Sequence, residues 1–316
     1  NIPAVKLLAK VGIKPVMQQA YNMGITRWEP TQENIDNVGL SLVLGGRETT
    51  LLEITNAYAV FANKGVKHDP FSILEVKDSK GKELFKKEDD DGDQVLSPES
   101  AFLISHILYD NNARKDTFGT NSYLNIPGFP IAAKTGTTDE KRDNWTNGYT
   151  PSFVVGVWVG NNDNTPMDPK IASGVTGASP VWNKIMKVVL NGHDNEEFEI
   201  PENVHVAEID TLSGGTPVDG HDKRSEYFVK GSEPTAKSAI YKQVKISKEK
   251  NDKLANSDEI SHGDYDVKEY IVFEESDPVS TDGKNLWQEG INVWLSEAHK
   301  DDPLYKPPTE TSDRTY

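Results

Sequence analysis

Apolar residues recur at helical spacing in several stretches of the chain, and each stretch carries a helix start or stop signal. Residues 3–24 show this spacing with an interruption at Gly12, which predicts two consecutive helices. Thr50 and Glu53 match a capping box, while Ser97-Pro98 and Ser179-Pro180 each place an N-cap residue before a first-turn proline. The residues predicted to face the core are Val5, Leu8, Val11, Val16, Leu51, Ile54, Tyr58, Phe61, Phe102, Ile104, Ile107, Leu108, Tyr109, Trp182, Ile185, Met186 and Val189.

Shorter runs of β-branched, aromatic or small residues predict strands. Residues 152–160 form such a run, closed by a polar turn, and are typical of a buried strand. We expect residues 131–138 to be its antiparallel neighbour, joined to it through a short loop. Residues 70–86 alternate around a turn signal and predict a surface hairpin. The polar residues 111–130, with Gly and Pro, predict a loop that leads into the strand at 131–138.

These elements predict an antiparallel sheet flanked by helices, an α/β (α+β) fold, over residues 1–192. Beyond residue 193 the sequence becomes more polar, and a strand is predicted at residues 204–209. The further divisions that we expect are a closing segment at 193–235 packed on the first domain, a polar linker at 236–262, a small β-rich C-terminal module at 263–300 and a disordered tail at 301–316.

Charge and composition exclude several classes of partner. The chain has 316 residues and a formal net charge of −16, which argues against nucleic acid and against an anionic membrane surface, because both would repel it. It has no cysteine, so disulfides and Cys-ligated metals are excluded. Residues 88–93 are acidic but lack the closing Glu of an EF-hand loop, and we interpret them as a solvated loop. No metal or cofactor is predicted.

The candidate chemistry lies on the strand predicted at residues 131–138. Lys134 supplies a positive charge, and Thr135 and Thr137 supply hydroxyl groups that can hold a carboxylate. Gly136 has no Cβ, so a substrate backbone can lie close to the strand, whose N–H groups can bind an extended peptide or an oxyanion. A Lys-Thr-Gly sequence by itself is more often an ordinary strand end with a solvated Lys.

The sequence around this strand resembles the transpeptidase domain of class A, bifunctional penicillin-binding proteins over roughly residues 1–235. The motifs that carry the resemblance are Asn1-Ile-Pro-Ala-Val, Gly45-Gly46-Arg47-Glu48-Thr49, Ala57-Tyr58-Ala59, Phe61-Ala62-Asn63, Lys134-Thr135-Gly136-Thr137, Gly148-Tyr149-Thr150-Pro151, Gly174-Val-Thr-Gly-Ala-Ser-Pro180 and the segment at 224–235. The resemblance implies a transpeptidase fold of the β-lactamase-like type that is incomplete at its N-terminus.

The resemblance also implies a reaction, serine acyl transfer on the D-Ala-D-Ala ends of peptidoglycan stem peptides, which β-lactam antibiotics would block. Lys134-Thr135-Gly136-Thr137 would then hold the substrate carboxylate, with the Thr137 N–H in the oxyanion hole. Asn1 would be the Asn of a Ser-x-Asn motif and bind the substrate amide. Thr138, Trp145 and Tyr149 would contact the substrate. The implied location is the extracytoplasmic face of the bacterial membrane, with an anchor upstream of this chain and with cell-wall assembly proteins as further partners.

By this interpretation the nucleophile is not in the chain. Two tetrapeptides match Ser-x-x-Lys, beginning at Ser79 and Ser247, but one falls in a predicted hairpin turn and the other in the predicted linker. Neither offers the desolvated helix start that would activate a Ser. We therefore expect the chain alone to be inactive. Two alternatives stay open, a non-catalytic peptidoglycan-binding or assembly module and a D-Ala-D-Ala carboxypeptidase or β-lactamase-like hydrolase.

Overall fold

A computed structural model describes residues 1–168 and 176–316. Gly174 and Val175, the first two residues of the predicted motif at 174–180, lie outside the described residues. The chain divides into two compact units, Asn1–Val204 and His205–Tyr316. The helices of the first unit are α1 (Ile2–Val11), α2 (Ile13–Asn22), α3 (Gln32–Asp36), α4 (Leu51–Ala62), α5 (Pro98–Tyr109), α6 (Asn111–Phe118) and α7 (Ala178–Val189). Its strands are β1 (Val66–Lys67), β2 (Glu75–Lys77), β3 (Glu83–Lys86), β4 (Asp93–Gln94), β5 (Ala132–Thr137), β6 (Asp143–Tyr149) and β7 (Val154–Gly160).

The helix signals are confirmed for α2, α4 and α5. Gly12 separates α1 from α2 and has a φ of +90°, a backbone conformation that favours glycine. Thr50 Oγ1 accepts a hydrogen bond from the Glu53 N–H, and the Glu53 carboxylate accepts one from the Thr50 N–H, so the capping box is complete. Ser97 Oγ accepts from the Ser100 N–H at 3.2 Å at the start of α5.

The side of α5 that faces the core differs from the prediction. Its buried side chains are Ala101, Phe102 and Ser105, whereas Ile104 and Ile107 are 37% and 65% exposed. The spacing of the large apolar residues indicated the wrong side, because small residues form part of the packed face. Other predicted core residues that are exposed are Val11, Leu51 and Ile185.

Helix α6 corrects the prediction of a loop at residues 111–130. The Asp110 carboxylate accepts hydrogen bonds from the N–H groups of Asn112, at 2.8 Å, and Ala113, at 3.2 Å, and so caps this helix. The helix has no buried residue. Without an apolar face, it leaves no helical periodicity in the sequence.

The central sheet of the first unit contains β5, β6 and β7 in that order, all antiparallel. The predicted pairing of residues 131–138 with residues 152–160 is therefore wrong, because β6 lies between them. β6 carries Asn144, Thr146 and Asn147, which are polar yet buried. Buried polar side chains on both faces of β6 remove the alternation by which a strand is recognised from sequence.

The two faces of this sheet pack against different helices. Trp182 and Met186 of α7 are fully buried against one face, and the Trp182 indole N–H donates to the Val155 carbonyl at 3.0 Å. On the other face, the Thr55 hydroxyl of α4 donates to Asn147 Oδ1 at 3.4 Å. Lys134 lies opposite Asn147 in the β5–β6 register and so belongs to the α4 face.

The second unit contains strands β8 (Val204–Asp210), which begins at the boundary, β9 (Lys223–Val229), β10 (Tyr241–Ser247) and β11 (Tyr265–Ile271), with helices α8 (Ser257–His262) and α9 (Leu286–Ala298). The predicted strand at 204–209 is confirmed as β8, which pairs with β9. β10 pairs with β11 in a separate antiparallel ladder.

Residues 236–262 differ from the predicted polar linker, because they form β10 and α8. Ser247 and Glu259 are fully buried, and the Ser247 hydroxyl donates to the Glu259 carboxylate. Residues 301–316 differ from the predicted disordered tail. Ser312 is buried, and Asn256 Nδ2 donates to its carbonyl at 3.1 Å. Polar residues build much of this unit, which is why its composition resembled a linker. The predicted β-rich module at 263–300 contains α9 besides β11.

The remaining predictions for the first unit concern its surface. The hairpin at residues 70–86 is confirmed as β2 and β3, with exposed residues throughout both strands.

Within the described residues, no helix combines the length and the apolar character that crossing a bilayer requires.

Candidate active site

The candidate site is the outer edge of β5, the first strand in the order β5-β6-β7. The Thr138 N–H donates to the Asp143 carbonyl at 3.1 Å, which identifies this pair as hydrogen-bonded. In an antiparallel ladder, hydrogen-bonded pairs alternate with pairs that are not hydrogen-bonded. The backbone groups of Gly136 and Lys134, two and four residues before Thr138, therefore also bond to β6. The N–H and C=O groups of Thr135 and Thr137 consequently point away from β6. Such an edge can accept an extended peptide or hold an oxyanion.

Lys134 adds a charge at this edge. Its side chain is exposed, and Nζ donates to the outward-pointing Thr135 carbonyl at 2.6 Å. The surrounding protein atoms displace water and lower the pKa of Lys134 from its ordinary value of 10.5. The ammonium is thus held beside the outward-facing backbone groups of the strand.

Thr137 lies on the opposite face of β5 from Lys134, because side chains alternate along a strand. Thr137 Oγ1 accepts a hydrogen bond from Asn144 Nδ2 at 3.0 Å, and Asn144 Oδ1 accepts from the Ala178 N–H at 2.6 Å. Asn144 is fully buried. Asn144 was not among the site residues predicted from sequence, because its place directly opposite Thr137 follows only from the β5–β6 register.

Thr138 and Trp145 lie next to this edge. Thr138 Oγ1 accepts from the Asp143 N–H at 2.8 Å and donates to the Asp143 carboxylate at 3.2 Å, so its hydroxyl closes the β5–β6 turn. Trp145 is opposite Gly136, and a Cβ added to Gly136 would lie 3.5 Å from the Trp145 Cβ. Contacts of Thr138 and Trp145 with a substrate stay predictions.

Tyr149 does not lie at the surface where a substrate would contact it. Its side chain is 0% exposed, its hydroxyl is 2.9 Å from Ser105 Oγ, and its ring packs edge-on against Tyr58. Burial also raises the pKa of Tyr149. The predicted substrate contact of Tyr149 is corrected accordingly: this residue belongs to the core that supports β6.

The other predicted residues lie on separate elements. Asn1 precedes α1, makes no side-chain capping bond and is exposed, and its approach to Lys134 across a cleft stays a prediction. Ser79 lies in the exposed β2–β3 turn, and Ser247 is buried with its hydroxyl bonded to Glu259. Over residues 1–168 and 176–316, no group of three His, Asp or Glu side chains is placed to hold a metal ion.

An edge strand with Lys-Thr-Gly-Thr, between helices on both faces, is typical of the penicillin-binding transpeptidase family, whose Lys-Thr-Gly motif class A β-lactamases share. The chain belongs to this family, since the sequence model of the penicillin binding protein transpeptidase domain matches residues 10–187. A second family, the C-terminal domain of penicillin-binding protein 1A, matches residues 200–243.

The relatives that the chain matches are named as penicillin-binding proteins. The chain is 32% identical over 245 residues to penicillin-binding protein 1A of Aquifex aeolicus, covering 74% of this chain and 30% of that protein. It is 30% identical over 243 residues to penicillin-binding protein 2D of Bacillus subtilis, covering 74% of this chain and 33% of that protein. The chain thus spans about a third of the length of these relatives.

Solved structures have the same fold. Penicillin-binding protein 1A from Haemophilus influenzae superimposes with a TM-score of 0.62 at 27% identity, covering 74% of this chain and 39% of that one. PonA1 from Mycobacterium tuberculosis, a penicillin-binding protein, gives 0.52 at 26% identity, covering 62% and 55%. A further structure of PonA1 contains penicillin V.

Proposed function

We propose that this chain forms the substrate-binding wall of a D,D-transpeptidase that cross-links peptidoglycan stem peptides. The observation that carries the proposal is the edge of β5, where the N–H groups of Thr135 and Thr137 point outward beside the Lys134 ammonium. A peptide that ends in D-Ala-D-Ala would lie along this edge as an added strand, with its carboxylate held by positive charge and hydroxyl groups.

The covalent step needs a Ser that this chain does not supply. In the proposed reaction a Ser from a Ser-x-x-Lys motif in the upstream part of the protein attacks the penultimate D-Ala carbonyl, and the terminal D-Ala leaves as the amine. The Thr137 N–H stabilises the negative charge that develops on the carbonyl oxygen. The amine of a second stem peptide then displaces the Ser and forms the cross-link. A β-lactam would acylate the same Ser.

Asn1, Thr138 and Trp145 complete the proposed substrate contacts. Asn1 would bind the substrate amide from the opposite wall, next to the catalytic Ser.

We propose that the full-length protein lies on the extracytoplasmic face of the bacterial membrane, anchored by a segment upstream of this chain, with cell-wall assembly proteins as further partners. The support is the family membership and the 1A-type C-terminal match.

A labelling experiment tests the proposal. The full-length protein that contains this chain is incubated with a fluorescent penicillin, and the labelled residue is identified by mass spectrometry. We expect stoichiometric labelling of a Ser upstream of Asn1, prevented by an excess of unlabelled penicillin. A folded full-length protein that takes up no label would overturn the transpeptidase proposal and favour a non-catalytic module. Release of hydrolysed penicillin at a high turnover rate would favour a β-lactamase-like hydrolase.

A further inference from the structure

Asn144 joins the candidate site to helix α7 through two hydrogen bonds. It is 0% exposed, its Oδ1 accepts from the Ala178 N–H at 2.6 Å, and its Nδ2 donates to Thr137 Oγ1 at 3.0 Å. Gly177 encloses the amide, since a Cβ added there would lie 2.4 Å from Asn144 Oδ1. The oxygen of the Asn144 amide is therefore closely packed between Gly177 and the Ala178 N–H.

The chemistry of these partners fixes which way each hydrogen bond runs. The Ala178 N–H can only donate, so the oxygen of the Asn144 amide must face it, and the amide nitrogen must face Thr137. A Thr hydroxyl has one proton to donate and two lone pairs that accept. Because Asn144 donates to one lone pair of Thr137 Oγ1, the Thr137 proton does not point at Asn144, and the exposed position of Thr137 leaves that proton available to a ligand.

We propose that Asn144 is a positioning residue that makes Thr137 a hydrogen-bond donor for the carboxylate of the acyl donor, whether a stem peptide or a β-lactam. This inference rests on the proposed function. The three hydrogen bonds, from Ala178 to Asn144, from Asn144 to Thr137 and from Thr137 to the carboxylate, run in one direction and polarise one another. Their sum presents a fixed positive end to an anion, at no cost of reorienting the hydroxyl when the ligand binds.

The chain contains a matched control for this contact. Thr146 Oγ1 and Ser179 Oγ are 3.0 Å apart, and both residues are buried. This bond joins the same two elements, β6 and α7, two residues further along β6, but it does not reach Thr137. Thr146→Val keeps the shape of the side chain and removes one buried hydrogen bond between these elements.

The test measures acylation by penicillin in the full-length protein, separated into the affinity of the first complex and the rate of the covalent step. Asn144→Asp keeps an acceptor for the Ala178 N–H but offers only acceptors to Thr137, so the Thr137 proton must turn inward. We expect the affinity for penicillin to fall about 10- to 100-fold, the loss of one hydrogen bond to a charged group, with little change in the covalent step. Thr146→Val should acylate like the wild type although its melting temperature falls.

A double-mutant cycle separates positioning from a structural or simple charge effect. In a Thr137→Val background the hydroxyl is gone, so Asn144→Asp should lower the affinity by less than about 3-fold if it acts through Thr137. An equal loss in both backgrounds, or no loss from Asn144→Asp alone, would overturn the inference. If the Asp variant fails to fold, Asn144→Ala gives the same comparison, because it frees the Thr137 hydroxyl without adding charge. Its expected loss of affinity for penicillin is smaller, about 3- to 10-fold.

The outcomes also separate this inference from the proposed function. A wild-type protein that penicillin does not acylate would refute the transpeptidase proposal and this inference together. A wild type that is acylated, with Thr137→Val impaired and both Asn144 variants unimpaired, would refute only the role of Asn144.

Discussion

Gly156 of β7 lies directly beneath Thr55 of α4, so closely that a Cβ added to Gly156 would be 2.0 Å from Thr55 Oγ1 and 2.6 Å from Asn147 Oδ1. The missing side chain lets α4 sit on the sheet at the point where the Thr55 hydroxyl donates to Asn147. Asn147 is in turn the partner of Lys134 in the β5–β6 register. The contact of α4 with the sheet at Gly156 and Asn147 therefore supports β5, the strand that carries the candidate site residues.

Gly156→Ala should destabilise the first unit by about 1–3 kcal/mol, because the added methyl group would overlap the side chains of Thr55 and Asn147 and force them or α4 to shift. Chemical denaturation of the chain would measure the change. Gly39→Ala is the control, since no atom lies within 4 Å of a Cβ added there. Equal stabilities of the two variants would show that α4 does not depend on this contact.

Lys134→Ala in the full-length protein should slow acylation by penicillin about 10²- to 10³-fold, since it removes a preorganised charge where the carboxylate docks. The melting temperature should change little, because Lys134 is exposed and buries little apolar surface. Lys187→Ala, which removes an equal charge from the last turn of α7, is the control. An unchanged acylation rate in Lys134→Ala would end the assignment of this strand to the chemistry.

Tyr149→Phe should lower stability by about 0.5–1.5 kcal/mol, the net value of its hydrogen bond with Ser105. The rate of acylation by penicillin should be unchanged, since the Tyr149 hydroxyl is buried and faces α5. Thermal denaturation and acylation kinetics on the same full-length variant test both parts. A large loss of acylation without a loss of stability would return Tyr149 to the substrate-binding residues.

The chain by itself should form no covalent adduct with penicillin. The Ser247 hydroxyl is fully buried against Glu259, where penicillin cannot reach it, and among the described residues the exposed Ser79 hydroxyl makes no hydrogen bond to a base that could activate it. Intact-mass measurement after incubation with excess penicillin checks this. A stoichiometric adduct that maps to Ser79 or Ser247 would contradict both the prediction and the assignment of an upstream nucleophile.

The second unit should lose stability in acid through Glu259. Burial raises the pKa of this carboxylate, but hydrogen bonds from Ser247 and the Asn256 N–H outweigh burial and leave the pKa below its ordinary value of 4.5. A carboxyl group whose pKa is lower in the folded than in the unfolded state stabilises the folded state at pH values above its unfolded pKa. The contribution of Glu259 is therefore present above about pH 4.5, and it is lost as the pH falls through the lower pKa of the folded state.

Glu259→Gln should remove this part of the pH dependence. Urea unfolding, followed by NMR signals of β10 and β11 between about pH 3 and pH 7, would show a flatter stability curve than the wild type. Glu310→Gln is the control, because the Glu310 carboxylate is 77% exposed in its ion pair with Lys253. Curves of equal steepness for wild type and Glu259→Gln would contradict the role of Glu259.

Local signals in the sequence predicted five of the seven helices described in the first unit, all except α3 and α6, and predicted its sheet only in part. Capping patterns such as Thr50 with Glu53 are contacts between near neighbours in the chain, so the sequence contains both partners. The position of β6 depends on buried polar side chains, Asn144 and Thr146 among them, whose partners lie on α7, more than thirty residues further along. Periodicity in β6 cannot reveal a partner on another element.

The candidate site divides in the same way. The residues of β5 were predicted from one short motif, because a strand brings neighbouring residues to one edge without help from the rest of the fold. Tyr149 was misassigned because a motif gives the order of residues but not the direction in which a ring points. Asn144 was missed because its function depends on Ala178, whose N–H reaches it only once α7 packs on the sheet.

Among the described strands, β5 lies at an edge of its sheet, and such an edge affects how a protein behaves in solution. A strand that is free to receive a peptide is equally free to receive the edge of another sheet, which is the usual route to aggregation of β-proteins. A charged Lys on such an edge strand opposes that pairing, because its charge would lose water when a second strand packs beside it. We therefore expect Lys134 to disfavour self-association through this edge, in addition to its proposed contact with the substrate carboxylate.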